Sequence, residues 1–136
     1  MSWIQTYSGE VFSPEYPTED TINLEDIAHA LSMICRFNGH CAQFYSVAEH
    51  SVYVSRFVSL EIAMWGLMHD AAEAYISDLA RPVKPMVQGF DCLELEIMKS
   101  IKGVFNLEGD VPQKVKDADL RMLATERKQL MGAQRS

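Results

Sequence analysis

Two histidines and three aspartates have side chains that can bind a metal and that would be awkward in a buried core. They are His50, His69, Asp70, Asp117 and Asp119. Imidazole nitrogens and carboxylate oxygens form a mixed ligand set that suits Mn²⁺, Co²⁺, Ni²⁺, Fe²⁺ or Zn²⁺ better than Ca²⁺. A buried charge without a partner is costly, whereas a bound cation neutralises carboxylates and organises imidazoles. The pattern predicts a metal site, with Asp117 and Asp119 as alternatives for its last carboxylate.

Three predicted helices must bring these side chains together. A capping-box pattern, S-x-x-E, begins at Ser46 and predicts a helix that carries His50 just beyond its first turn. Residues 60–76 are apolar on nearly all sides and predict a central helix that carries His69 and Asp70. Adjacent residues on a helix point about 100° apart. His69 and Asp70 can therefore bind the same ion only if it lies at the edge of the helix. Neighbouring helices must then supply the other ligands.

The N-terminal part of the chain supplies two more elements. Residues 3–12 hold two short β-prone runs around Ser8-Gly9, which predict a small hairpin. A first helix is predicted from residue 21 to Gly39, because its apolar residues follow a spacing of three and four.

Two helices are predicted after a loop from Ser77 to Gly89 that contains two prolines. Asp91, with a glutamate three residues later, is expected to cap the fourth helix, which ends at about Phe105. Asp110 is expected to cap the fifth, with a proline in its first turn, and this helix extends to Leu130 or Met131. Five main helices predict an all-α fold.

Composition limits the class of protein. The 136 residues suit one domain over 1–136, with its core at about 20–131. No apolar run reaches the roughly 18 residues of a membrane span, and the N-terminus lacks the pattern of a signal peptide. Three cysteines (Cys35, Cys41, Cys92) without C-x-x-C spacing predict a reduced, cytosolic setting. A net charge of −7 argues against a nucleic-acid-binding face, so an anionic substrate requires locally concentrated positive charge.

The order of these residues resembles a known family. The pattern H…HD…D is the signature of HD-domain metal-dependent phosphohydrolases, and here it lies in YSVAEHS (45–51), MHDAAEAY (68–75) and VKDADLRML (115–123). The words RFNGH, SVAEHS, HDAAEAYISDLARPVK and KDAD resemble the small nucleotide-hydrolysing branch that includes bacterial 5′-deoxynucleotidases. They are still more similar to phage-encoded HD phosphohydrolases, some of which act on dATP. The resemblance covers about residues 20–131 and implies the helical bundle of the HD fold.

The resemblance implies a ligand set and selects one of the two alternatives. The implied metal ligands are His50, His69, Asp70 and Asp119. Asp119 is preferred to Asp117 because the family word is A-D after V-K, which here ends at Asp119.

The resemblance also implies roles around the metal. Glu73 matches an acid beside the attacking water, and its position four residues after His69 places both on one helix face. Asp78 matches a second acid near the phosphate, where it could protonate the leaving oxygen; a capped loop is its other interpretation. Arg36 matches a phosphate-binding arginine, with helix capping through the dipole as the competing interpretation. Lys84 is a weaker match to a phosphate contact. Phe37 stands where the deoxynucleotidase branch often has tryptophan.

The predicted function is metal-dependent hydrolysis of 2′-deoxynucleotides. The phage-like words favour a dNTP triphosphohydrolase, of the dATP type, that releases deoxynucleoside and triphosphate. A 5′-deoxynucleotidase that removes phosphate from dNMPs is the alternative. Two further alternatives are a non-catalytic module that senses a nucleotide or metal, and a structural helical interaction protein.

The predicted cofactor is a divalent metal: Co²⁺, Mn²⁺, Zn²⁺, Ni²⁺ or Mg²⁺. The expected partners are a small nucleotide and further copies of the chain in a dimer or larger homo-oligomer, without membrane or nucleic-acid polymer. The expected location is the cytoplasm, that of the host if a phage encodes the protein.

Overall fold

The chain folds into helices with one small hairpin. The computed structural model describes residues 2–135, most of which are helical. The α-helices in this range are α1 (Leu24–Met33), α2 (Val47–Arg56), α3 (Ala63–Met68), α4 (Glu73–Ile76), α5 (Phe90–Phe105) and α6 (Gln113–Leu130). Strands β1 (Ile4–Gln5) and β2 (Val11–Phe12) pair antiparallel. The predictions of a mostly helical chain and of a hairpin within residues 3–12 are confirmed. The two ends of the predicted domain, Met1 and Ser136, lie outside the described residues.

The hairpin is anchored to the helices by a buried carboxylate and a buried ring. Ser8 donates hydrogen bonds from its backbone N–H and its hydroxyl to the two oxygens of Asp26, at 2.7 and 2.8 Å. Phe12 is fully buried and stacks on Tyr75 of α4, with 4.2 Å between ring centroids. The hairpin therefore supports α4, which begins at Glu73.

The first helix is shorter than predicted. It ends at Met33 rather than Gly39, because the chain becomes extended and Cys35 pairs antiparallel with Ser46. Backbone hydrogen bonds to the segment before α2 thus replace helical ones. The backbone N–H of Arg36 donates to the carbonyl oxygen of Tyr45 at 2.8 Å, which holds Arg36 beside the start of α2.

The second helix begins where its capping pattern predicts. The hydroxyl oxygen of Ser46 accepts a hydrogen bond from the backbone N–H of Glu49 at 3.0 Å. Val47, His50 and Val54 are fully buried on the inner face of α2. The cap therefore fixes a helix that carries an imidazole directly into the interior.

The predicted third helix over residues 60–76 is broken into pieces. A 3₁₀ turn at Leu60–Ile62 leads into α3, and a turn separates α3 from α4. The backbone N–H of Ala71 donates to the oxygen of Met68 at 2.9 Å, and that of Glu73 donates to Asp70 at 3.0 Å. These bonds reach three residues back rather than four, so the chain winds more tightly here. The prediction of one continuous helix is wrong at the residues that carry His69 and Asp70.

The two C-terminal helices have the predicted ends but not the predicted caps. Gly89 precedes α5 in the left-handed conformation (φ 85°), and Asp91 lies inside the first turn without capping it. Pro112 precedes α6, again without a side-chain cap, so the cap predicted at Asp110 is absent. The capping motif failed at both sites because Gly89 and Pro112 already set the direction in which the chain enters each helix. The helices end at Phe105 and Leu130, as predicted.

The core is a single cluster to which the hairpin and the helices contribute. Its most deeply buried members are Phe12, Ile27, Val47, Val54, Ala71, Ile97, Ile101 and Val115. Within residues 2–135, no helix combines the length and apolar character needed to cross a membrane.

Candidate metal centre

Four predicted ligands converge between α2, the turn after α3, and α6. His50, His69, Asp70 and Asp119 each offer an atom, and these atoms lie within 4.8 Å of one another. An oxygen of Asp119 lies 2.8 Å from Nε2 of His50 and 3.6 Å from Nε2 of His69. An oxygen of Asp70 lies 3.1 Å from Nε2 of His69 and 3.8 Å from Nε2 of His50. An ion with bonds of about 2.1 Å spans about 4.2 Å between opposite ligands, so the cluster, at up to 4.8 Å, is slightly wider than one metal site and would contract around a bound ion.

The two alternative aspartates lie on different faces of α6. Residues two apart on a helix point about 200° apart, so only one of them can face a given neighbour. Asp119 contacts both histidines, whereas exposed Asp117 accepts a hydrogen bond from Gln113 at 3.0 Å. The structure thus brings Asp119 into the cluster and leaves Asp117 outside it.

Both imidazoles present the same nitrogen to the cluster. Nδ1 of His50 lies 2.6 Å from a carboxylate oxygen of Glu126, and Nδ1 of His69 lies 2.6 Å from the carbonyl oxygen of Gly66. A carbonyl oxygen or an ionised carboxylate only accepts hydrogen bonds, so each Nδ1 carries a proton. In a neutral ring this leaves the lone pair on Nε2, which is the arrangement of a metal-ligating histidine with an outer hydrogen-bond partner.

The electrostatics of the cluster fit a cation. Burial disfavours protonation of His69, but the adjacent Asp70 and Asp119 raise its pKa to about 10. Burial favours the protonated form of Asp119 and so raises its pKa. Contacts with His50 and His69 outweigh this effect and hold the pKa of Asp119 well below its ordinary value. The buried Nε2 of His69 makes no hydrogen bond of good geometry within residues 2–135. Two anionic carboxylates around two imidazole nitrogens thus create a site that attracts positive charge, and a divalent ion supplies it without protonating the rings.

Two more predicted acids lie beside the cluster. Glu73 is buried, and its pKa is raised by burial and by the adjacent carboxylates of Asp70 and Asp78. Burial also raises the pKa of Asp78, an effect that Asp70 reinforces and Arg36 opposes. Both acids line the same cavity as Asp70 and Asp119. The structure therefore brings both predicted acids to the candidate centre.

That cavity has a volume of about 500 Å³ and is lined by four basic and four acidic side chains. Its cationic side chains are Arg36, Arg81, Lys84 and Arg127. In the described part of the chain, Arg36 pairs with Glu126 at 2.9 Å and Lys84 with Glu94 at 3.3 Å, while Arg81 and Arg127 have no ion-pair partner. A protein with a net charge of −7 thus concentrates four cations beside its candidate metal site. This is the local positive charge that an anionic ligand requires.

Arg36 does not cap α1. Its Nη2 donates to a carboxylate oxygen of Glu126 on α6 at 2.9 Å, and its guanidinium carbon lies 5.3 Å from the ring centre of Phe37. Helix α1 has already ended at Met33. Arg36 is instead held at the cavity from two sides.

Two bacterial proteins are similar to the chain, and one of them shows its family. YfdR of Escherichia coli K12 is 45% identical over 130 residues, which cover 96% of this chain and 73% of YfdR. The chain belongs to the YfdR family. A Rhodobacter capsulatus relative, RCAP_rcc00048, is 31% identical over 127 residues, which cover 86% of this chain and 65% of that protein. Both relatives carry the name "uncharacterized protein", and no protein-family model matches the chain.

In this member of the YfdR family, the sequence pattern alone does not reveal three residues of the site. Glu126 holds both His50 and Arg36, and Arg81 and Arg127 add charge to the cavity wall. One signal for Glu126 does exist in the sequence. It shares a helical face with the buried Val115 and Met122, where an unpaired glutamate would be costly.

Proposed function

We propose that this chain is a metal-dependent phosphohydrolase that acts on 2′-deoxynucleotides, and that its helical domain is an HD fold. One observation carries the proposal: a cavity of about 500 Å³ is lined both by the candidate metal ligands Asp70 and Asp119 and by four basic side chains. Metal ligands beside concentrated positive charge are suited to phosphate ester hydrolysis. The resemblance in the H…HD…D words supports the nucleotide class of substrate.

The residues around the cluster have distinct roles in this proposal. His50, His69, Asp70 and Asp119 hold the ion, which when bound polarises a phosphate oxygen and lowers the pKa of a water molecule. Glu73, at the wall of the cavity, orients the attacking water, and it would take the proton of that water on a carboxylate oxygen once the charge of a bound ion has lowered its raised pKa. Asp78 donates a proton to the leaving oxygen, a role that suits a carboxyl whose pKa is raised by burial.

The basic side chains of the cavity, of which Arg81 and Arg127 have no ion-pair partner among the described residues, support a triphosphate as substrate rather than a monophosphate. A monophosphate ester carries a charge of about −2 at neutral pH, and a triphosphate carries roughly twice that. Arg81 and Arg127 add two cations to those of Arg36 and Lys84. We therefore propose a dNTP such as dATP as the substrate, with deoxynucleoside and triphosphate as the products.

A substrate panel tests the proposal. Purified protein reconstituted with Mn²⁺ or Co²⁺ is incubated with dNMPs, dNTPs and NTPs, and the products are separated by ion-exchange chromatography. Deoxynucleoside and tripolyphosphate from a dNTP are the expected products. Deoxynucleoside and phosphate from dNMPs alone would identify a 5′-deoxynucleotidase instead.

Matched variants connect the activity to the cluster. Asp119→Asn is expected to abolish turnover, and Asp117→Asn on the exposed side of α6 to retain it. No turnover of any nucleotide by protein shown to contain metal would overturn the proposed enzyme and favour a non-catalytic module.

A further inference from the structure

We infer that Glu126 is a positioning residue that links metal binding to phosphate binding. One of its carboxylate oxygens accepts a hydrogen bond from Nη2 of Arg36 at 2.9 Å. The other accepts from Nδ1 of His50 at 2.6 Å and from the hydroxyl of Tyr45. A single buried carboxylate thus holds one candidate metal ligand and one cationic side chain of the cavity. The link to phosphate rests on the proposed function, whereas the link to the metal does not.

The carboxylate fixes which nitrogen of His50 can bind a metal. Glu126 is 3% exposed, so water does not replace its hydrogen bonds. Because an ionised carboxylate has no proton to donate, Nδ1 of His50 must be the donor. Nε2, which carries the lone pair when the ring is neutral, faces Asp70 and Asp119, where the other candidate ligands lie. Glu126 therefore selects the tautomer that the metal requires.

The same carboxylate holds Arg36 in place. The guanidinium presents its Nη2 to Glu126 and contacts the face of the Phe37 ring. Its buried Nε has no hydrogen-bond partner among the described residues, although Arg36 lines the cavity. A planar guanidinium fixed along one edge offers its remaining N–H groups in a defined direction, which is what recognition of phosphate oxygens needs.

Replacing Glu126 with glutamine separates these effects, because an amide has only one oxygen acceptor. If the amide oxygen faces Arg36, the NH₂ group faces Nδ1 of His50 and requires that nitrogen to accept. The ring proton then moves to Nε2, and the metal ligand is lost. If the amide is flipped, the NH₂ group faces Nη2 of Arg36, two donors meet, and the guanidinium is released. Neither orientation preserves both functions.

Metal affinity is the first measurement. Mn²⁺ is titrated into metal-free wild type, Glu126→Gln and Tyr45→Phe by calorimetry, with circular dichroism as the check on folding. Tyr45→Phe is the matched control, since it removes one hydrogen bond from the same carboxylate oxygen without changing the tautomer of His50. We expect Glu126→Gln to weaken Mn²⁺ binding about 10–100-fold and Tyr45→Phe to change it less than about threefold. A folded Glu126→Gln variant with wild-type affinity for both Mn²⁺ and tripolyphosphate would overturn the inference.

Phosphate binding is the second measurement. Inorganic tripolyphosphate is titrated into the same proteins saturated with Mn²⁺. If Mn²⁺ affinity is retained in Glu126→Gln, the flipped amide requires tripolyphosphate to bind at least about tenfold more weakly. The two proposals can fail separately. If Glu126→Gln loses Mn²⁺ affinity but the wild type hydrolyses no nucleotide, the role of Glu126 at the metal stands and the proposed function is refuted.

A measurement on the wild type does not depend on the folding of any variant. In Zn²⁺-loaded protein, the ring nitrogens of His50 are assigned by long-range ¹H–¹⁵N NMR. A proton on Nδ1 and a metal-shifted Nε2 are expected. A proton on Nε2 would overturn the inference.

Discussion

Gly66 lies where the backbone of α2 approaches α3 closely, and a single added methyl group tests that contact. A Cβ atom at this position would lie 2.9 Å from Cα and 3.2 Å from N of Ser55. Both atoms belong to the backbone of α2, so they cannot rotate away as a flexible side chain does. Gly66→Ala therefore requires one helix to move.

Two opposing effects determine how much Gly66→Ala changes the free energy of unfolding. Alanine favours the interior of a helix over glycine by about 1 kcal/mol. Overpacking in a close-packed interior costs about 1–3 kcal/mol, and the upper part of this range applies where the neighbours are rigid. We expect Gly66→Ala to lower the free energy of unfolding by about 1–2 kcal/mol and the Tm by about 3–8 °C in a chain of this length.

Gly103→Ala on α5 is the matched control. The three atoms nearest to its Cβ would all belong to the carboxylate of Glu19, an exposed side chain that can rotate away. The helix-propensity term then dominates, and we expect Gly103→Ala to stabilise the chain by about 0.5 kcal/mol. The two substitutions are chemically identical and are predicted to act with opposite sign.

Urea unfolding and thermal melts of the metal-free proteins measure both effects. Wild-type or higher stability of Gly66→Ala would refute the reasoning about the close approach. If Gly103→Ala lowered the free energy of unfolding as much as Gly66→Ala, the close approach of α2 and α3 would not explain the loss of stability in Gly66→Ala. Since the carbonyl of Gly66 accepts the hydrogen bond from His69, Gly66→Ala is also expected to weaken Mn²⁺ binding.

Three further predictions concern the metal and one buried carboxylate. Asp119→Asn should weaken Mn²⁺ binding by more than about 100-fold, beyond the usual effect of an outer partner, and Asp117→Asn by less than about twofold; calorimetry on metal-free protein measures both. Mn²⁺ at 100 times its Kd should add about 2.7 kcal/mol to the stability of EDTA-treated wild type, and an unchanged Tm would exclude a site in the folded state. Burial raises the pKa of Asp26, but hydrogen bonds from Thr6, Ser8 and Asn23 lower it below 3.8 overall. Its ionised form thus contributes stability above about pH 4 that is lost as the pH falls through the lowered pKa, so the stability difference between wild type and Asp26→Asn should shrink from pH 7 to pH 3 in urea unfolding.

Much of the fold could be predicted because local signals and burial agree. The S-x-x-E pattern at Ser46 places the start of α2 correctly, since the residue that caps the helix also precedes a buried face. The same pattern fails at Asp91 and Asp110, where Gly89 and Pro112 control the entry into the helix. A capping motif therefore predicts a helix start reliably only where no stronger backbone constraint lies beside it.

The break between α3 and α4 has no sequence signal of the usual kind. Residues 69–72 contain neither glycine nor proline, and the apolar pattern continues through them. The tighter hydrogen bonds form where His69 contacts Asp119 of α6 and Asp70 contacts His50 of α2. Tertiary contacts of this kind cannot be inferred from the periodicity of one segment.

The candidate metal ligands could be predicted from the sequence. The residues that hold them in place and that line the cavity beside them could not. His50, His69 and Asp70 are conspicuous in largely apolar helices, whereas Asp119 was selected by the family resemblance, and the four converge as expected. Glu126 resembles the other glutamates of a charged C-terminal helix, and only its position on the buried face distinguishes it. Arg81 and Arg127 reach the cavity through the path of a loop and the orientation of a helix, which depend on the whole fold.

The spacing between Asp119 and Glu126 has a consequence for how this family can diverge. The two carboxylates contact opposite nitrogens of one imidazole and stand seven residues, about two turns, apart on α6. Intervals between ligands on different helices contain loops, so insertions can lengthen them without moving the ligands. The interval D-x₆-E is set by helical pitch alone, and one inserted residue would rotate Glu126 by about 100° away from the ring. We therefore expect relatives that keep this centre to vary freely in the distance from the first histidine to the last aspartate, while the following six-residue gap stays constant.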